Sequence, residues 1–254
     1  MSLFSKLFVD GIKYNKNNVP KNNIYPFCIP AIKSLSELKF NKNVTFFIGE
    51  NGVGKSTFIE ALAVSLGLNP EGGTQNFNFK TTDSHSNLSD YLTIYTNGNV
   101  PDTKYFLRAE SFYNVASEIQ RLAEEDDYYE LYKSYGGNLH ECSHGESFLK
   151  LIKNRFGDNG LYILDEPEAA LSPTRQMTLL CMIDDLVKRG CQFIISTHSP
   201  ILLSYSNADI YDLNDNFSKI EYKDTEIYRT YKTFLDDPDR MLKYLLEGDE
   251  NLKK

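Results

Sequence analysis

Apolar and polar residues alternate along the chain in an order that predicts strands followed by helices. Short runs rich in β-branched and aromatic residues predict buried strands at 44–49, 160–168 and 191–200. Apolar residues recur at helical spacing, with proline or glycine near the ends, in 55–68, 172–190 and 236–248. This order is typical of an α/β sheet whose strands are joined by crossover helices.

Two further segments complete the predicted elements. Residues 91–111 indicate two strands joined at Asn97–Gly98, a dipeptide that favours a β-hairpin. Residues 112–137 have a helical pattern, are acidic and end in a pair of glycines. The length of 254 residues is compatible with one domain over 1–254, in which we expect 112–140 to form a helical subdomain.

The segment GENGVGKS, from Gly49 to Ser56, matches the pattern G-x-x-x-x-G-K-[ST] between a predicted strand and a predicted helix. Glycines allow successive backbone N–H groups to point at a phosphate, and the helix dipole adds to the attraction. Lys55 supplies a positive charge for the β- and γ-phosphates, and the Ser56 hydroxyl is a ligand for Mg²⁺. The segment therefore predicts a phosphate-binding site.

Two carboxylates, Asp165 and Glu166, end the strand predicted at 160–168, at the edge where parallel sheets bind ligands. Asp165 is suited to Mg²⁺, and Glu166 to activating a water for attack on the γ-phosphate. Such a pair is more often a helix cap or a solvated turn, and the phosphate loop upstream favours the catalytic interpretation. His198, just beyond the next strand, is placed to contact the γ-phosphate.

The stretch HECSHGESF, residues 140–148, permits two interpretations. His140, Cys142, His144 and Glu146 fall on every second residue, so an extended strand would present them together as metal ligands. However, the pattern S-x-x-E from Ser143 to Glu146, followed by an apolar run, predicts a capping box at the start of a helix. We favour the helix, in which the alternating ligand geometry does not exist.

Composition narrows the functional classes. The chain has 41% hydrophobic residues, a formal net charge of −8 and four cysteines without CxxC pairing. The acidic balance does not indicate a chain that coats nucleic acid, and the cysteines are typical of a reducing compartment. No run of 18 apolar residues is present, so we expect a cytoplasmic protein without direct membrane insertion.

Taken in order, these motifs resemble those of the ABC class of P-loop ATPases. Gly49–Thr57 resemble Walker A, and Leu161–Glu166 resemble Walker B with its catalytic glutamate. The segment 168–172 resembles the D-loop, His198 the switch histidine, and CSHGE at 142–146 the signature loop. The implied fold is an α/β P-loop NTPase of ABC type, with a mixed central sheet, an antiparallel β portion and a small helical subdomain.

The resemblance implies ATP and Mg²⁺ as cofactors and a homodimer that forms head to tail on ATP binding. Each ATP is then held between Walker A of one subunit and the signature of the other. Hydrolysis is expected to use Glu166, His198 and Lys55, and Mg²⁺ to bind Ser56 and Asp165. The implied nucleotide contacts are Gly49, Asn51, Gly52, Gly54, Lys55, Ser56 and Thr57 of one subunit, with Ser143, Gly145 and Glu146 of the other.

The chain departs from the family pattern at several positions. His144 replaces the first signature glycine, and Ser172 stands where many members have the D-loop aspartate. No glutamine is clearly placed as a Q-loop, and the segment Arg108–Glu110 holds that position in the predicted topology. Tyr25 and Phe27 are the candidates for an aromatic residue that stacks on adenine.

The output of an ATP cycle is left open between different classes of protein. DEPEAALSP resembles stand-alone ATPases that act on DNA or on a soluble effector more than transporter subunits. The segment between Lys55 and Cys142 is too short for a long coiled coil, and the acidic residues 122–130 offer a possible partner surface. The alternatives are an ATP-binding subunit docked on membrane permeases and a binding switch with slow hydrolysis.

Overall fold

The computed structural model describes residues 7–19, 23–73, 86–112, 117, 121 and 143–247. Nearly all of the expected helical subdomain and the acidic segment within it therefore lie outside the described residues. The same is true of His140 and Cys142. The predictions made for these parts of the chain stay predictions.

The predicted alternation of strands and helices is confirmed in the described residues. The strands are β1 (Gly11–Tyr14), β2 (Glu37–Lys39), β3 (Val44–Ile48), β4 (Leu92–Tyr95), β5 (Thr103–Arg108), β6 (Gly160–Asp165), β7 (Gln192–Ser196), β8 (Ala208–Asp212) and β9 (Ser218–Lys219). The helices are α1 (Pro30–Ser34), α2 (Lys55–Ser65), α3 (His144–Arg155), α4 (Pro173–Lys188), α5 (Pro200–Leu203), α6 (Glu226–Asp236) and α7 (Pro238–Glu247). Short 3₁₀ helices cover Lys16–Asn18, Asn87–Tyr91, Pro167–Ala170 and Tyr222–Asp224.

The described residues form a central six-stranded sheet in the order β5-β6-β7-β3-β8-β9. Neighbouring strands are parallel except at the edge, where β9 runs antiparallel to β8. The C-terminal ends of β3, β6 and β7 consequently lie side by side. This order places the phosphate loop, the carboxylate pair and His198 at one edge of the sheet.

The central sheet is buried on both faces, as its uninterrupted apolar strands predict. Phe46 and Phe47 of β3 are both fully buried, and they point into different core clusters because side chains alternate along a strand. One cluster includes α3, α4 and α5, and the other includes α2 and the strands of a smaller sheet. Packing on both faces fixes the strand ends that carry the site.

The hairpin predicted over 91–111 is wrong. In the described residues, β4 pairs with β1 in a separate antiparallel sheet of order β2-β1-β4, whereas β5 is parallel to β6 in the central sheet. Gly98 does adopt a turn with φ of 86°, but the turn connects strands of different sheets. The apolar residues of β5 are buried on both faces, with Tyr105 and Leu107 in one core cluster and Phe106 in the other, because this edge strand of the central sheet is covered on both sides.

The C-terminal helices α6 and α7 are amphipathic and leave much of their apolar side exposed. Tyr231, Leu235, Leu245 and Leu246 are exposed by 53%, 67%, 67% and 80%. Among the described residues, no helix combines the length and the apolar character needed to cross a membrane.

Candidate functional site

The phosphate loop follows β3 and leads into α2, as predicted. Gly49, Gly52 and Gly54 all have positive φ, which side-chain-bearing residues rarely adopt. At Gly54 a Cβ atom would also lie only 2.8 Å from Cγ2 of Ile29. Glycine is therefore required there on two grounds.

Lys55 is almost completely buried beneath this loop. Its Nζ donates hydrogen bonds of 2.9 Å to the carbonyl oxygens of Gly49 and Glu50. Burial lowers the pKa of Lys55, and the carboxylates of Glu166 and Asp165 oppose that shift. The ammonium group is thus held at the loop by bonds that a phosphate group can replace.

Ser56 and Asp165 meet at the base of the cleft. The Ser56 hydroxyl donates to Oδ1 of Asp165 at 3.4 Å, and the Ser196 hydroxyl of β7 donates to the same oxygen at 2.5 Å. Burial raises the pKa of Asp165, whereas the hydrogen bond from Ser196 and the charge of Arg108 oppose the shift. A hydroxyl and a carboxylate are the hard oxygen ligands that Mg²⁺ prefers, so these residues fit the expected metal.

Glu166 has a backbone conformation that positions its carboxylate in the cleft. Its φ of 48° lies in the left-handed region, which costs about 1–3 kcal/mol for a residue other than glycine. The backbone N–H of Glu166 is fixed by a 3.0 Å hydrogen bond to the carbonyl oxygen of Ser196. Oε1 of Glu166 then lies 3.9 Å from Nζ of Lys55 and 3.6 Å from Nε2 of His198.

His198 is held in place by a carboxylate whose role was not predicted. Oε1 of Glu168 accepts a hydrogen bond from the backbone N–H of His198, and Oε2 accepts one from the Thr197 hydroxyl at 2.8 Å. Burial, with the nearby charge of Lys55, lowers the pKa of His198, so the imidazole is neutral at neutral pH. From the sequence, Glu168 is assigned only to the start of the segment that resembles a D-loop, and no contact with His198 is predicted.

Arg108 connects Asp165, one of the expected metal ligands, to α2, which the sequence did not foresee. Its guanidinium Nε lies 3.3 Å from Oδ2 of Asp165, and NH1 lies 2.9 Å from Oε2 of Glu60. Glu110 is more distant, at 3.8 Å from NH2, and its side chain is 88% exposed. At the position predicted for a Q-loop, Arg108 therefore forms ion pairs with two carboxylates, those of Asp165 and Glu60.

The predicted capping box begins α3. The backbone N–H and the hydroxyl of Ser143 donate to Oε2 of Glu146 at 3.1 and 2.8 Å, and Arg175 pairs with Glu146 at 2.9 Å. These hydrogen bonds lower the pKa of Glu146, and the charge of Arg175 lowers it further. A Cβ atom on Gly145 would lie 3.0 Å from the carbonyl oxygen of Ala170, so this glycine permits close packing of the first turn.

The helical geometry separates the two members of the alternating set that lie within the described residues. His144 and Glu146 are two residues apart in α3 and point in different directions around the helix. Among the described residues, no group of three or more His, Cys, Asp or Glu side chains is arranged to hold a metal ion.

A cleft of about 430 Å³ brings Ser56, Asp165 and Glu166 together, whereas Lys55 and His198 are not among the residues that line it. Its lining includes residues from the phosphate loop, from the segment after β5, from the start of α3 and from the end of β6: Asn51, Ser56, Glu110, His144, Asp165 and Glu166. Ser143 is exposed at the N-terminus of α3, beside His144. The start of α3 therefore borders the cleft of its own chain.

The two aromatic candidates for adenine stacking have different environments. Phe27 is buried, with its ring centroid 5.0 Å from that of Tyr91, so it belongs to the core. Tyr25 is 62% exposed, and its hydroxyl lies 3.3 Å from Oγ1 of Thr57 at the end of the phosphate loop. Only Tyr25 is thus available to a ligand.

Comparison with known proteins agrees with this geometry. The family described as "AAA domain" matches residues 22–177, which is more than half of the chain. A Haemophilus influenzae protein described as an uncharacterized ABC transporter ATP-binding protein is 28% identical over 201 residues, covering 67% of this chain and 69% of that protein. The chain belongs to the AAA domain family, which agrees with the resemblance of its motifs to those of P-loop ATPases of the ABC class.

Two solved structures are also similar. The SMC head domain from Thermotoga maritima has a TM-score of 0.43 and 16% identity, covering 81% of this chain and 95% of that chain. CbiO1 from Clostridium perfringens, part of the ABC transporter complex cbiONQ, has a TM-score of 0.47 and 16% identity, covering 84% of this chain and 91% of that chain.

Proposed function

We propose that the protein binds ATP with Mg²⁺ and hydrolyses it to ADP and phosphate. The observation that carries the proposal is the position of Oε1 of Glu166. This oxygen lies 3.9 Å from Nζ of Lys55 and 3.6 Å from Nε2 of His198. A carboxylate between a phosphate-binding lysine and a neutral histidine is placed to act on a water beside the γ-phosphate. The family match and the phosphate loop support the same assignment.

Each group has a distinct part in the proposed reaction. Lys55 and the loop N–H groups bind the β- and γ-phosphates, and His198 orients the γ-phosphate. Glu166 takes a proton from water as the water oxygen bonds to the γ-phosphorus, and the bond to the β-phosphate oxygen breaks. Ser56 and Asp165 would hold Mg²⁺, which neutralises phosphate charge when it is bound.

The site is proposed to be completed by a second subunit. In this arrangement Ser143 and the N-terminus of α3 approach the γ-phosphate of the ATP bound to the partner, where the hydroxyl and the helix dipole favour negative charge. The exposure of Ser143 supports this use of the helix end. The position of His144 on the cleft of its own chain favours a second candidate, a contact within one subunit.

Two outputs fit such a cycle. The protein acts on DNA or on a soluble effector, as the DEPEAALSP segment suggests, or it drives a permease, as the description of the Haemophilus influenzae relative suggests. A gene for a multi-span permease beside this one would favour transport, and a gene for a nuclease or another soluble effector would favour the first output.

Phosphate release by the purified full chain tests the enzymatic part of the proposal. We expect release that depends on ATP and Mg²⁺, that stops on chelation with EDTA, and that follows many turnovers. A protein that binds ATP but releases at most one phosphate per chain would be a nucleotide-gated switch and would contradict the proposed turnover.

A further inference from the structure

We propose that Arg108 is the resident counter-cation of Asp165 and makes Mg²⁺ bind together with ATP rather than alone. Arg108 is a positioning residue in this scheme, because it acts on the metal through Asp165. The inference rests on the proposed function in one respect, namely that Asp165 is the metal-binding carboxylate.

The position of Arg108 is fixed by the fold. Arg108 and Asp165 are directly paired in the register of the parallel strands β5 and β6, at the ends of both strands. The Arg108 side chain is only 18% exposed and that of Asp165 only 5%, so water screens their attraction weakly. A surface ion pair would not hold this geometry, whereas two packed strands do.

A second anchor prevents Arg108 from turning away. Glu60 lies one turn after Ser56 on α2, so both side chains are on the same face of the helix. Glu60 binds Arg108 at 2.9 Å, while Ser56 donates to Asp165 at 3.4 Å. The four side chains thus close a ring that joins the phosphate-loop helix to the carboxylate.

The two oxygens of Asp165 are divided between different neighbours. Oδ2 faces Nε of Arg108 at 3.3 Å, whereas Oδ1 receives the hydroxyls of Ser56 and Ser196. The guanidinium therefore does not occupy the side of Asp165 that faces Ser56. It reduces the negative potential there without blocking it, so a metal ion alone is weakly attracted.

Removing Arg108 has two opposing effects on metal binding. The loss of a positive charge makes the site more attractive to Mg²⁺, whereas the loss of an ion pair frees Asp165 to move. Ser196 still holds Oδ1 at 2.5 Å, so the orientation of Asp165 is retained and the charge effect dominates. The triphosphate supplies negative charge of its own, which explains why Mg²⁺ would enter with ATP in the intact protein.

The test is Mg²⁺ binding by the nucleotide-free full chain, measured by titration calorimetry and by the Mg²⁺-induced shift in Tm. We expect Arg108→Gln to bind Mg²⁺ on the order of tenfold more tightly than the wild type. Arg108→Lys retains the charge and should bind Mg²⁺ within about twofold of the wild type. A merely structural role for Arg108 would not separate these two variants in this way.

A double variant guards against misfolding. Arg108→Gln leaves Glu60 without its partner, so Glu60→Gln combined with Arg108→Gln removes both charges and should still bind Mg²⁺ more tightly than the wild type, although by less than the single variant. If the folded variants bind Mg²⁺ no more tightly than the wild type, the inference is wrong.

Asp165→Asn separates this inference from the proposed function. If Asp165→Asn loses affinity for Mg-ATP and Arg108→Gln is unchanged in Mg²⁺ binding, only the role of Arg108 fails. If Asp165→Asn binds both Mg²⁺ and Mg-ATP as the wild type does, the proposed metal site itself fails, and the inference with it.

Discussion

Glu166→Gln is expected to reduce ATP turnover by about 10²–10⁴-fold while ATP binding is retained. The amide cannot take a proton from water, yet it preserves the shape of the side chain. The phosphate contacts depend on Lys55 and the loop backbone, and Lys55 loses the charge of Glu166 at 3.9 Å but keeps its hydrogen bonds to Gly49 and Glu50. ATP should therefore accumulate in the bound state, and the proposed dimer should persist.

Light scattering of the Glu166→Gln variant with Mg-ATP measures the second part of this prediction. The matched control is Glu110→Gln, the same change at a carboxylate that lines the same cleft but is 88% exposed. Its turnover should stay within about twofold of the wild type, because exposed ion pairs contribute little. A Glu166→Gln variant that stays monomeric with ATP would count against the dimer, and one with normal turnover would remove Glu166 as the base.

Ser143→Arg is expected to reduce turnover at least about 10²-fold without weakening ATP binding to the isolated subunit by more than about threefold. A long cation at the N-terminus of α3 removes the cap, opposes the helix dipole and fills the space that the γ-phosphate must approach. Walker A is unchanged. Turnover and the binding of a fluorescent ATP analogue, measured on the same preparation, separate the two effects.

Ser143→Thr is the control for this substitution. Threonine retains both the hydroxyl and the capping ability, so its turnover should remain close to that of the wild type. Loss of the cap alone costs about 1 kcal/mol of stability, and the Tm of Ser143→Arg shows whether more than this is lost. If Ser143→Arg folds and turns over ATP normally, Ser143 does not contact the γ-phosphate.

The central part of the fold is predictable because its local and long-range preferences agree. β3 lies between a polar turn and a glycine loop, and its β-branched and aromatic residues favour the same buried strand that the sheet requires. The phosphate loop is predictable for a related reason, because its glycines stand where the backbone has positive φ, and its lysine and serine follow at the start of α2.

The errors and omissions concern partners that are remote in sequence. Asn97–Gly98 does form a turn, but which strands flank it in space depends on β1 and β6. Likewise, the pairing of Arg108 with Glu60 joins residues 48 positions apart, and its pairing with Asp165 is set by the register of β5 against β6. The available signal for the contact of Arg108 with Asp165 was that two predicted strands, now β5 and β6, each end in a charged residue.

Glu168 illustrates the same limit within a motif. Its place in the D-loop-like segment was evident, but its acceptance of hydrogen bonds from Thr197 and His198 requires the 3₁₀ turn that follows Glu166. His144 and Glu146 show the reverse case, in which a local pattern indicates metal ligands and the helix turns the two side chains in different directions.

The central claim is that an active site is shared between two subunits, and mixing two inactive variants tests it most directly. Lys55→Ala damages Walker A, and Ser143→Arg damages the opposite surface. In a mixed dimer, one of the two sites would combine an intact Walker A with an intact Ser143. Neither variant alone contains such a site.

Equal amounts of the two variants are expected to recover about a quarter of wild-type turnover, because half of the dimers are mixed and each has one intact site. Lys55→Ala mixed with Glu166→Gln is the control, since both changes lie on the same side of the shared site and no intact site can form. Recovery in the first mixture and none in the second is the predicted result. No recovery in the first mixture, from variants that dimerise, would place Ser143 and Lys55 in the same subunit's site and contradict the shared arrangement.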